Sequence, residues 1–392
     1  MKTRRTILYG IFAVILALAF TTCDNGNTGH THSYSTAWSS NATQHWHECS
    51  CGDKADVADH TGDPCSVCGY SWTWTAVADS TIWEYTSTFE YDGETFTSTL
   101  AYDINAIAYG NNTWVAVGKR GKMAYSANGT SWTAVANSTF GTDILDGINA
   151  IAYGGDKFVA VGSQGKMAYS TDGASWTAVE DSKFGTSTIE AIAYGNGRFV
   201  AVSGGGKIAY STDNGVTWKA VADSADVYTI EAIAYGNGRW VAGDYYFGKM
   251  AYSSDGENWT DVLDSKLSDI YAIAYGNNKW VAVGDEGKMA YSTDNGETWT
   301  AVADSKFPAT YTISTISFSC GINGIAYGNN RFVAVGDNGK MAYSTDGASW
   351  TAVADSTIWQ YILGTADINA IAYGNGRFVA VGESGKMAYA DF

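Results

Sequence analysis

The stretch Ile104-Asn105-Ala106-Ile107-Ala108-Tyr109-Gly110 decides the fold, because variants of it return six more times in the 392-residue chain. Each copy is followed by variants of FVAVG and GKMAYS, as at residues 199–202 and 166–170, and the first six also by a variant of WTAV, as at residues 350–353. Short apolar runs separated by Gly-rich turns predict three or four strands, A to D, in each unit. The later copies begin at Ile148, Ile189, Ile230, Ile270, Ile322 and Ile368, at spacings of 44, 41, 41, 40, 52 and 46 residues.

The repeat period predicts a β-propeller, because strand-rich units of about 40 to 50 residues are typical of propeller blades. The seventh unit ends at Asp391-Phe392, before any strand D. Residues 74–80 (WTAVADS) supply a copy of that strand at the other end of the repeats. We therefore expect an all-β fold: a seven-bladed propeller over residues 72–392, closed by its N-terminal strand and preceded by a small Cys/His module.

A turn of the pattern Ser-x-Asp-Gly-x-Ser-Trp, or a longer form, joins strands C and D, as at Ser170, Asp172, Gly173 and Trp176. A short Asp or Asn side chain accepts hydrogen bonds from such a turn. The pattern resembles the Asp-box, or BNR, repeat of sialidases, sortilin-type receptors and photosystem assembly-factor propellers. That resemblance implies a structural role for the residues in the Asp position: Asn128, Asp172, Asp213, Asp255, Asp294 and Asp346.

The sialidase resemblance also implies three converging Arg residues with a Tyr-Glu pair and an Asp, and this sequence departs from that pattern. Its arginines before strand B take one repeat position per unit, so they are spread around a ring and cannot converge: Arg198, Arg239, Arg331 and Arg377. No His follows Thr73, which excludes Ser-His and Cys-His chemistry from the repeats. Cys320 is expected to be a buried, inert thiol. We predict no catalytic residues.

The alternative is a glycan-active hydrolase of a non-sialidase type, which would need two carboxylates at the loop-rich face of the propeller. The sequence offers many carboxylates there and no distinct pair. The candidates are Glu84, Glu90, Asp92, Glu94, Asp103, Asp146, Asp285 and Glu286.

The loops that join strand D to the next strand A, and strand B to strand C, share one propeller face. They vary in length between units and carry aromatic residues. Exposed aromatic patches mark binding surfaces, so we predict a protein or glycan ligand on this face. The alternative is that these rings pack on one another to order the loops. The candidates are Trp83, Tyr85, Tyr245, Tyr246, Phe247, Tyr311, Trp359 and Tyr361.

The N-terminal 22 residues predict an export signal, because Lys2, Arg4 and Arg5 precede a charge-free run over residues 7–20. That run is shorter than the roughly 20 residues of a transmembrane helix. Its end, Phe20-Thr21-Thr22-Cys23, resembles the lipobox of bacterial lipoproteins, although that family prefers Leu in place of Phe20 and a small residue in place of Thr22. The resemblance implies lipidation of Cys23, a linker over residues 23–29, and a location in the cell envelope or at the cell surface. An ordinary secretory signal is the alternative.

All five His and four of the six Cys lie in residues 30–70, which is unusual enough to predict a metal site within this segment. Cys65-Ser-Val-Cys68-Gly69 is a CxxCG knuckle, and Cys49-Ser-Cys51-Gly52 is a shortened second one. The segment resembles small ribbon-like zinc modules, and this implies structural zinc. Two disulfides are the alternative, since exported proteins commonly contain them. The candidate ligands are Cys49, Cys51, Cys65, Cys68, His47 and His60.

The formal net charge of −17 argues against nucleic acid as a partner, because phosphates require basic patches. It also argues against a polybasic membrane contact, so we expect the membrane to be reached through the lipid alone. The sequence therefore predicts a monomeric, lipid-anchored binding or interaction scaffold.

Overall fold

The structure is a computed structural model. It describes residues 22–23, 32–40, 44–49, 54–59, 73–78, 81–91, 94–222, 229–313, 316–354, 357–361 and 364–391. The chain divides into two compact units, Met1–Ser71 and Trp72–Phe392. No α-helix occurs in these described ranges, and so none of them holds a helix long and apolar enough to cross a membrane.

The N-terminal unit contains one antiparallel sheet with the strand order β1-β2-β3-β4. Its buried side chains come from the third strand and include His45, Trp46 and Cys49. The Nζ atom of Lys54 lies 3.5 Å from the ring centroid of Trp46. The strands are β1 (Thr22–Cys23), β2 (His32–Ser40), β3 (Gln44–Cys49) and β4 (Lys54–Asp59).

The described residues of the C-terminal unit form seven four-stranded antiparallel sheets, one for each sequence repeat. Sheets 1 to 3 consist of β8 (Ile104–Gly110), β9 (Thr113–Gly118), β10 (Met123–Ser126), β11 (Thr133–Ala134); β12 (Ile148–Gly154), β13 (Lys157–Gly162), β14 (Met167–Ser170), β15 (Thr177–Ala178); and β16 (Ile189–Gly195), β17 (Arg198–Ser203), β18 (Ile208–Ser211), β19 (Lys219–Ala220).

Sheets 4 to 6 repeat the same order of strands. They consist of β20 (Ile230–Gly236), β21 (Arg239–Asp244), β22 (Met250–Ser253), β23 (Thr260–Val262); β24 (Ala272–Gly276), β25 (Lys279–Val283), β26 (Met289–Ser292), β27 (Thr300–Ala301); and β30 (Ile322–Gly328), β31 (Arg331–Gly336), β32 (Met341–Ser344), β33 (Thr351–Ala352).

Sheet 7 takes its fourth strand from the start of the unit. Ala76 pairs with Ala388 and Thr75 with Tyr389, and the amide of Val77 donates to the Met387 carbonyl at 3.0 Å. The sheet consists of β36 (Ile368–Gly374), β37 (Arg377–Gly382), β38 (Met387–Asp391) and β5 (Thr75–Ala76).

Three additional hairpins precede sheets 1, 6 and 7, where the sequence repeats are separated by the longest links. Short 3-10 turns accompany the sheets at Thr81–Trp83, Lys119–Gly121, Ser163–Gly165, Asp337–Gly339, Thr357–Trp359 and Glu383–Gly385. The hairpins are β6 (Glu84–Tyr91) with β7 (Glu94–Ala101), β28 (Thr310–Ile313) with β29 (Ile316–Ser319), and β34 (Gln360–Tyr361) with β35 (Gly364–Thr365).

The Tyr-Gly pair that ends each innermost strand explains how neighbouring sheets pack. A Cβ atom on Gly195 would lie only 2.0 Å from Cγ of Tyr235 in the next sheet, so only glycine leaves room for that ring. The pattern includes the step from sheet 7 back to sheet 1. The other pairs are Gly110–Tyr153, Gly154–Tyr194, Gly236–Tyr275, Gly276–Tyr327, Gly328–Tyr373 and Gly374–Tyr109.

The hydrophobic core lies between consecutive sheets rather than within one. Phe199 of sheet 3, for example, is fully buried in one cluster with Val159 and Val161 of sheet 2. Trp114 of sheet 1 shares another cluster with Val379 of sheet 7. Strands buried on both faces therefore require the continuous apolar runs seen in each repeat. The all-β, propeller-like fold predicted from the repeats is confirmed.

Candidate ligand-binding face

The loop-rich face consists of the links between the outermost strand of one sheet and the innermost strand of the next, together with the turns between the second and third strands. Tyr246 and Phe247 are the most exposed of its described aromatic residues, at 63% and 66%. They occupy the enlarged turn after β21, together with Tyr245. Large apolar groups held open to solvent at one point are suited to binding.

Asp244 fixes the conformation of this turn. Its carboxylate is fully buried and accepts hydrogen bonds from the amides of Tyr246 and Phe247 at 2.8 and 2.7 Å. It also accepts from the amide and hydroxyl of Thr229, at 2.9 and 2.8 Å. Four donors on one buried carboxylate hold the two exposed rings on a rigid support.

Other predicted aromatic residues on this face are partly covered by neighbouring rings. Tyr245 stacks on Tyr271 with centroids 5.3 Å apart, and Tyr311 stacks on Phe318 at 5.5 Å. Tyr85 remains exposed, although the Arg120 guanidinium lies over its ring at 4.9 Å. Packing between rings, the alternative raised by the sequence, therefore accounts for part of the set. The side chain of Tyr361 lies outside the described residues.

Trp83 and Trp359 do not belong to the exposed face, because neither has exposed surface. Trp83 packs over Gly385 and Trp359 over Gly339, at the turns before the third strands of sheets 7 and 6. In other units the same link position carries a buried Phe or Leu. The counterparts are Phe140, Phe184, Leu267 and Phe307. The two tryptophans therefore fill a core position that recurs in each unit, and they are not candidate binding residues.

An axial cavity of about 210 Å³ is lined by the innermost strands of the sheets. The second residue of each copy of the INAIAYG motif contributes to the wall of this cavity. Where that residue is Asn, its side-chain amide donates to the first carbonyl of the next sheet, as from Asn105 to Ile148 at 2.9 Å and from Asn369 to Ile104 at 3.0 Å. The other bonds of this type are Asn149 to Ile189 and Asn323 to Ile368.

Sheets 3, 4 and 5 have Glu190, Glu231 and Tyr271 at that position, and no such bond to the next sheet is formed among the described residues. Glu190 accepts a hydrogen bond from Nδ2 of Asn149 at 2.9 Å, and burial raises its pKa. Burial, then the charges of Glu190 and Asp244, raise the pKa of Glu231 to about 7. Two neighbouring half-buried carboxylates with raised pKa values mark a candidate functional site.

Sequence reasoning missed Glu190 and Glu231, because all copies of the INAIAYG motif were treated as equivalent. The available signal was the departure of these two units from the Asn found in four others. Of the carboxylates that were proposed, Asp103 pairs with Lys119, Asp146 with Lys166 and Glu286 with Lys288. Asp285 accepts from the Ser319 hydroxyl. Glu84, Glu90 and Glu94 lie on the hairpin β6–β7, and Asp92 lies outside the described residues.

A second cavity, of about 580 Å³, opens on the loop-rich face beside sheets 4 to 6. It shares Glu231, Tyr271 and Asn323 with the axial cavity. Asp285 and Asp337 complete its acidic lining. Its volume falls in the range of small-molecule and side-chain binding pockets, roughly 300 to 1,000 Å³.

The Asp-position residues act within their own turns. Asp172 Oδ1 accepts from the amides of Ala174 and Ser175 at 2.9 and 2.8 Å, and the bond from Ser175 contributes most to its lowered pKa. Asn128 accepts equivalent bonds from Thr130 and Ser131 at 2.9 Å. The other four residues also accept amide bonds from their turns: Asp213, Asp255, Asp294 and Asp346.

Basic residues at the start of the second strands reach across to the turn of the following sheet. Arg239 donates to the Asn295 carbonyl at 3.0 Å, and Lys279 donates to the Asp346 carbonyl at 2.7 Å. Arg377 of sheet 7 donates to the Asn128 carbonyl of sheet 1. These side chains join successive sheets. Cys320 is fully buried, and burial raises its pKa to about 12, which leaves it a poor nucleophile.

The Cys/His prediction falls mostly on residues that the structure does not describe: Cys51, His60, Cys65 and Cys68. Of the described candidates, Cys49 is buried, and His47 stacks on Trp38 with centroids 3.9 Å apart. No group of three potential metal ligands occurs in the described part of the chain. The lipidation candidate Cys23 lies in β1, and its side chain is outside the described set.

Comparisons with known proteins agree on the fold. Residues 77–229 match the model of the DUF6242 beta propeller domain, which is less than half of the chain. No curated protein is significantly similar in sequence to this chain. The structure of YCF48 bound to D1 peptide is similar with a TM-score of 0.59 and 16% identity, over 82% of this chain and 96% of that one. YCF48 from Cyanidioschyzon merolae gives 0.57 and 16%, over 81% and 98%.

An enzyme is among the similar structures as well. The GH74 xyloglucanase from Xanthomonas campestris aligns with a TM-score of 0.57 and 15% identity, over 81% of this chain and 53% of that one. Identities this low show a shared β-propeller architecture alone, and function has to be argued from the site.

Proposed function

We propose that this chain is a cell-envelope protein that binds a polypeptide through the loop-rich face and does not transform it. The observation that carries this proposal is the pair of exposed rings, Tyr246 and Phe247, on a turn held by four hydrogen bonds to Asp244. Preorganised aromatic anchors lower the entropy cost of association. YCF48, whose structure was solved with a peptide, has a similar fold.

The geometry of the ring supports the proposal. We infer that the seven sheets are the blades of one closed propeller, since the Gly–Tyr packing and the Asn and Arg bonds also join sheet 7 to sheet 1. A closed ring keeps the loop-rich face rigid, as a binding surface requires. We also propose export, lipidation of Cys23, structural zinc within residues 30–70 and a monomeric state, all of which rest on sequence patterns.

A second candidate function is hydrolysis of a glycan. It is favoured by one observation: Glu190 and Glu231 are neighbouring carboxylates with raised pKa values in the axial cavity. An acid with a raised pKa and a second carboxylate are the groups that glycosidases use. The binding function has the advantage of the exposed rings, which lie outside that cavity.

The test is a binding screen of the full chain against peptide and glycan arrays, with the double variant Tyr246→Ala/Phe247→Ala. We expect peptide hits that weaken at least ten-fold in the variant, since truncating an aromatic anchor costs about 2 kcal/mol or more. Asp156→Asn is the control, because Asp156 is exposed on the turn between β12 and β13, which is not part of the loop-rich face.

Two results would contradict the proposal. Peptide binding that the double variant leaves unchanged would remove these rings from the site. Release of reducing sugar ends from arrayed glycans, abolished by Glu190→Gln or Glu231→Gln, would establish the hydrolase instead.

A further inference from the structure

The cavity of about 580 Å³ on the loop-rich face combines aromatic walls with carboxylates. The stacked rings of Tyr245 and Tyr271 form one side. Glu231, Asp285 and Asp337 contribute carboxylates, and none of the eight lining residues is basic. Such a combination favours a cationic group, which gains from both charge and ring faces.

The carboxylates of this cavity differ in the number of hydrogen bonds that they accept from the protein. Asp337 accepts from the Gly321 amide at 2.7 Å and from the Asn323 side chain at 2.9 Å. Glu231 has no hydrogen-bond donor among the described residues, although it is half-buried. A partly desolvated carboxylate without a donor is destabilising, and it can be satisfied by a ligand.

The repeats show that this arrangement replaces a stabilising alternative. Four units place Asn at the position of Glu231 and thereby gain a bond to the next sheet. Sheets 3 and 4 give up that bond for Glu190 and Glu231, and sheet 5 gives it up for Tyr271. Substitutions that sacrifice stability within otherwise uniform repeats point to a functional requirement.

The spacing of the carboxylates argues against a metal ion. No group of three Asp, Glu, His or Cys side chains in the described ranges is close enough to hold one. A cavity of this size, with carboxylates on separate elements and aromatic faces between them, is better matched to a larger organic cation.

We propose that this cavity binds a lysine or arginine side chain of the polypeptide ligand. The inference rests on the proposed function and adds the chemistry of one ligand residue. The hydrocarbon stem would pack on Tyr245 and Tyr271. The charged end would donate hydrogen bonds to Glu231 and to the Asp285 oxygen that Ser319 leaves free, and the Asp337 carboxylate would add negative charge nearby.

The probes are acetylated, amidated pentapeptides Gly-Gly-X-Gly-Gly, in which X is Lys, Arg, norleucine or Glu. Binding to the full chain is measured by calorimetry at pH 8, where the Glu231 carboxyl is ionised. We expect the Lys and Arg peptides to bind at least ten-fold more tightly than the norleucine peptide. The variant Glu231→Asn should lose at least five-fold of that affinity.

The matched control is Asp156→Asn, which removes one negative charge from an exposed turn between β12 and β13, outside the cavity. It should leave affinity unchanged, which separates the site from general attraction to an acidic protein. Thermal unfolding verifies that both variants fold, and Glu231→Asn copies a residue that four other units carry.

Equal affinity for the lysine and norleucine peptides, or equal affinity of the wild type and Glu231→Asn, would overturn the inference. Calcium chloride that binds with Glu231-dependent affinity and displaces the lysine peptide would also overturn it in favour of a metal site. If the peptide array still yields ligands without basic residues that require Tyr246 and Phe247, the proposed function stands and this inference alone fails.

Discussion

At the scale of single residues, the repeats act as an internal comparison, because each position is seen in several copies of one environment. Glycine after each inner-strand tyrosine is constant, since the next tyrosine fills the space a side chain would need. Asn at the second position of the INAIAYG motif is stabilising where its side-chain amide donates to a carbonyl of the next sheet. Glu231 departs from that pattern at a cost in stability that depends on pH.

We predict that Glu231→Asn raises the free energy of unfolding at pH 8 by about 1 to 3 kcal/mol. The substitution removes a half-buried charge and adds a hydrogen bond to the next sheet. The pKa of Glu231 is about 7 in the folded wild type, whereas in the unfolded chain the carboxyl loses its proton near its ordinary pKa of 4.5. The folded state therefore binds more protons in that window, and wild-type stability falls as pH rises through it.

Chemical denaturation at pH 4 and pH 8 checks this prediction. The advantage of the variant should be larger at pH 8, because at pH 4 the carboxyl is protonated in both states. The groups whose charges bear on Glu231 are Glu190, Asp244 and Tyr245, so Asp156→Asn serves as a distant control. An advantage that is independent of pH would show that Glu231 is not held protonated.

At the scale of elements, the sequence predicts the strands that are alike in every unit. It does not predict the conformation of the links and turns that differ between units. Strand positions follow directly from the apolar runs and Gly-rich turns. Trp83 and Trp359 were misplaced because their links looked irregular, although both align with the buried Phe140 and Phe184. Glu231 was missed for the opposite reason, since it lies inside a strand that looked uniform. Neither burial nor a missing cross-sheet bond can be derived without the neighbouring sheet.

The turn after β21 illustrates an element whose shape depends on one buried group. We predict that Asp244→Asn destabilises the protein by about 1 to 3 kcal/mol, because an amide group presents N–H to donors that need an acceptor. Amide hydrogen exchange at Tyr246 and Phe247 should accelerate, since both amides donate to Asp244. Asp261→Asn is the control, because Asp261 is an exposed residue of β23 in the same sheet. Unchanged exchange at the two amides would show that the turn is ordered by other contacts.

At the scale of the whole molecule, the strand β5 connects the beginning of the repeats to their end. The sequence predicted this pairing from the missing strand D of the last unit, and the pairing of Ala76 with Ala388 corresponds to it. The repeats differ visibly at the second position of the INAIAYG motif, but only the structure shows that an Asn there forms a bond between neighbouring sheets. Each seam uses the same Gly–Tyr contact, yet the Asn bond is absent at the seams that follow sheets 3, 4 and 5, next to the acidic cavity.

If β5 holds the ring together, damage to it should destabilise all sheets and not only the last. Val77 directly follows β5, bonds to the Met387 carbonyl and is buried in the cluster shared by sheets 7 and 1, so Val77→Asp places a charge in that core. We predict a cost of about 3 kcal/mol and a single unfolding transition shifted to lower temperature. The neighbouring Ala78 is exposed, so Ala78→Asp adds the same charge without entering the core. Calorimetry distinguishes the possibilities: a split transition would mean that sheet 7 unfolds by itself, and equal behaviour of the two variants would mean that β5 contributes little to closure.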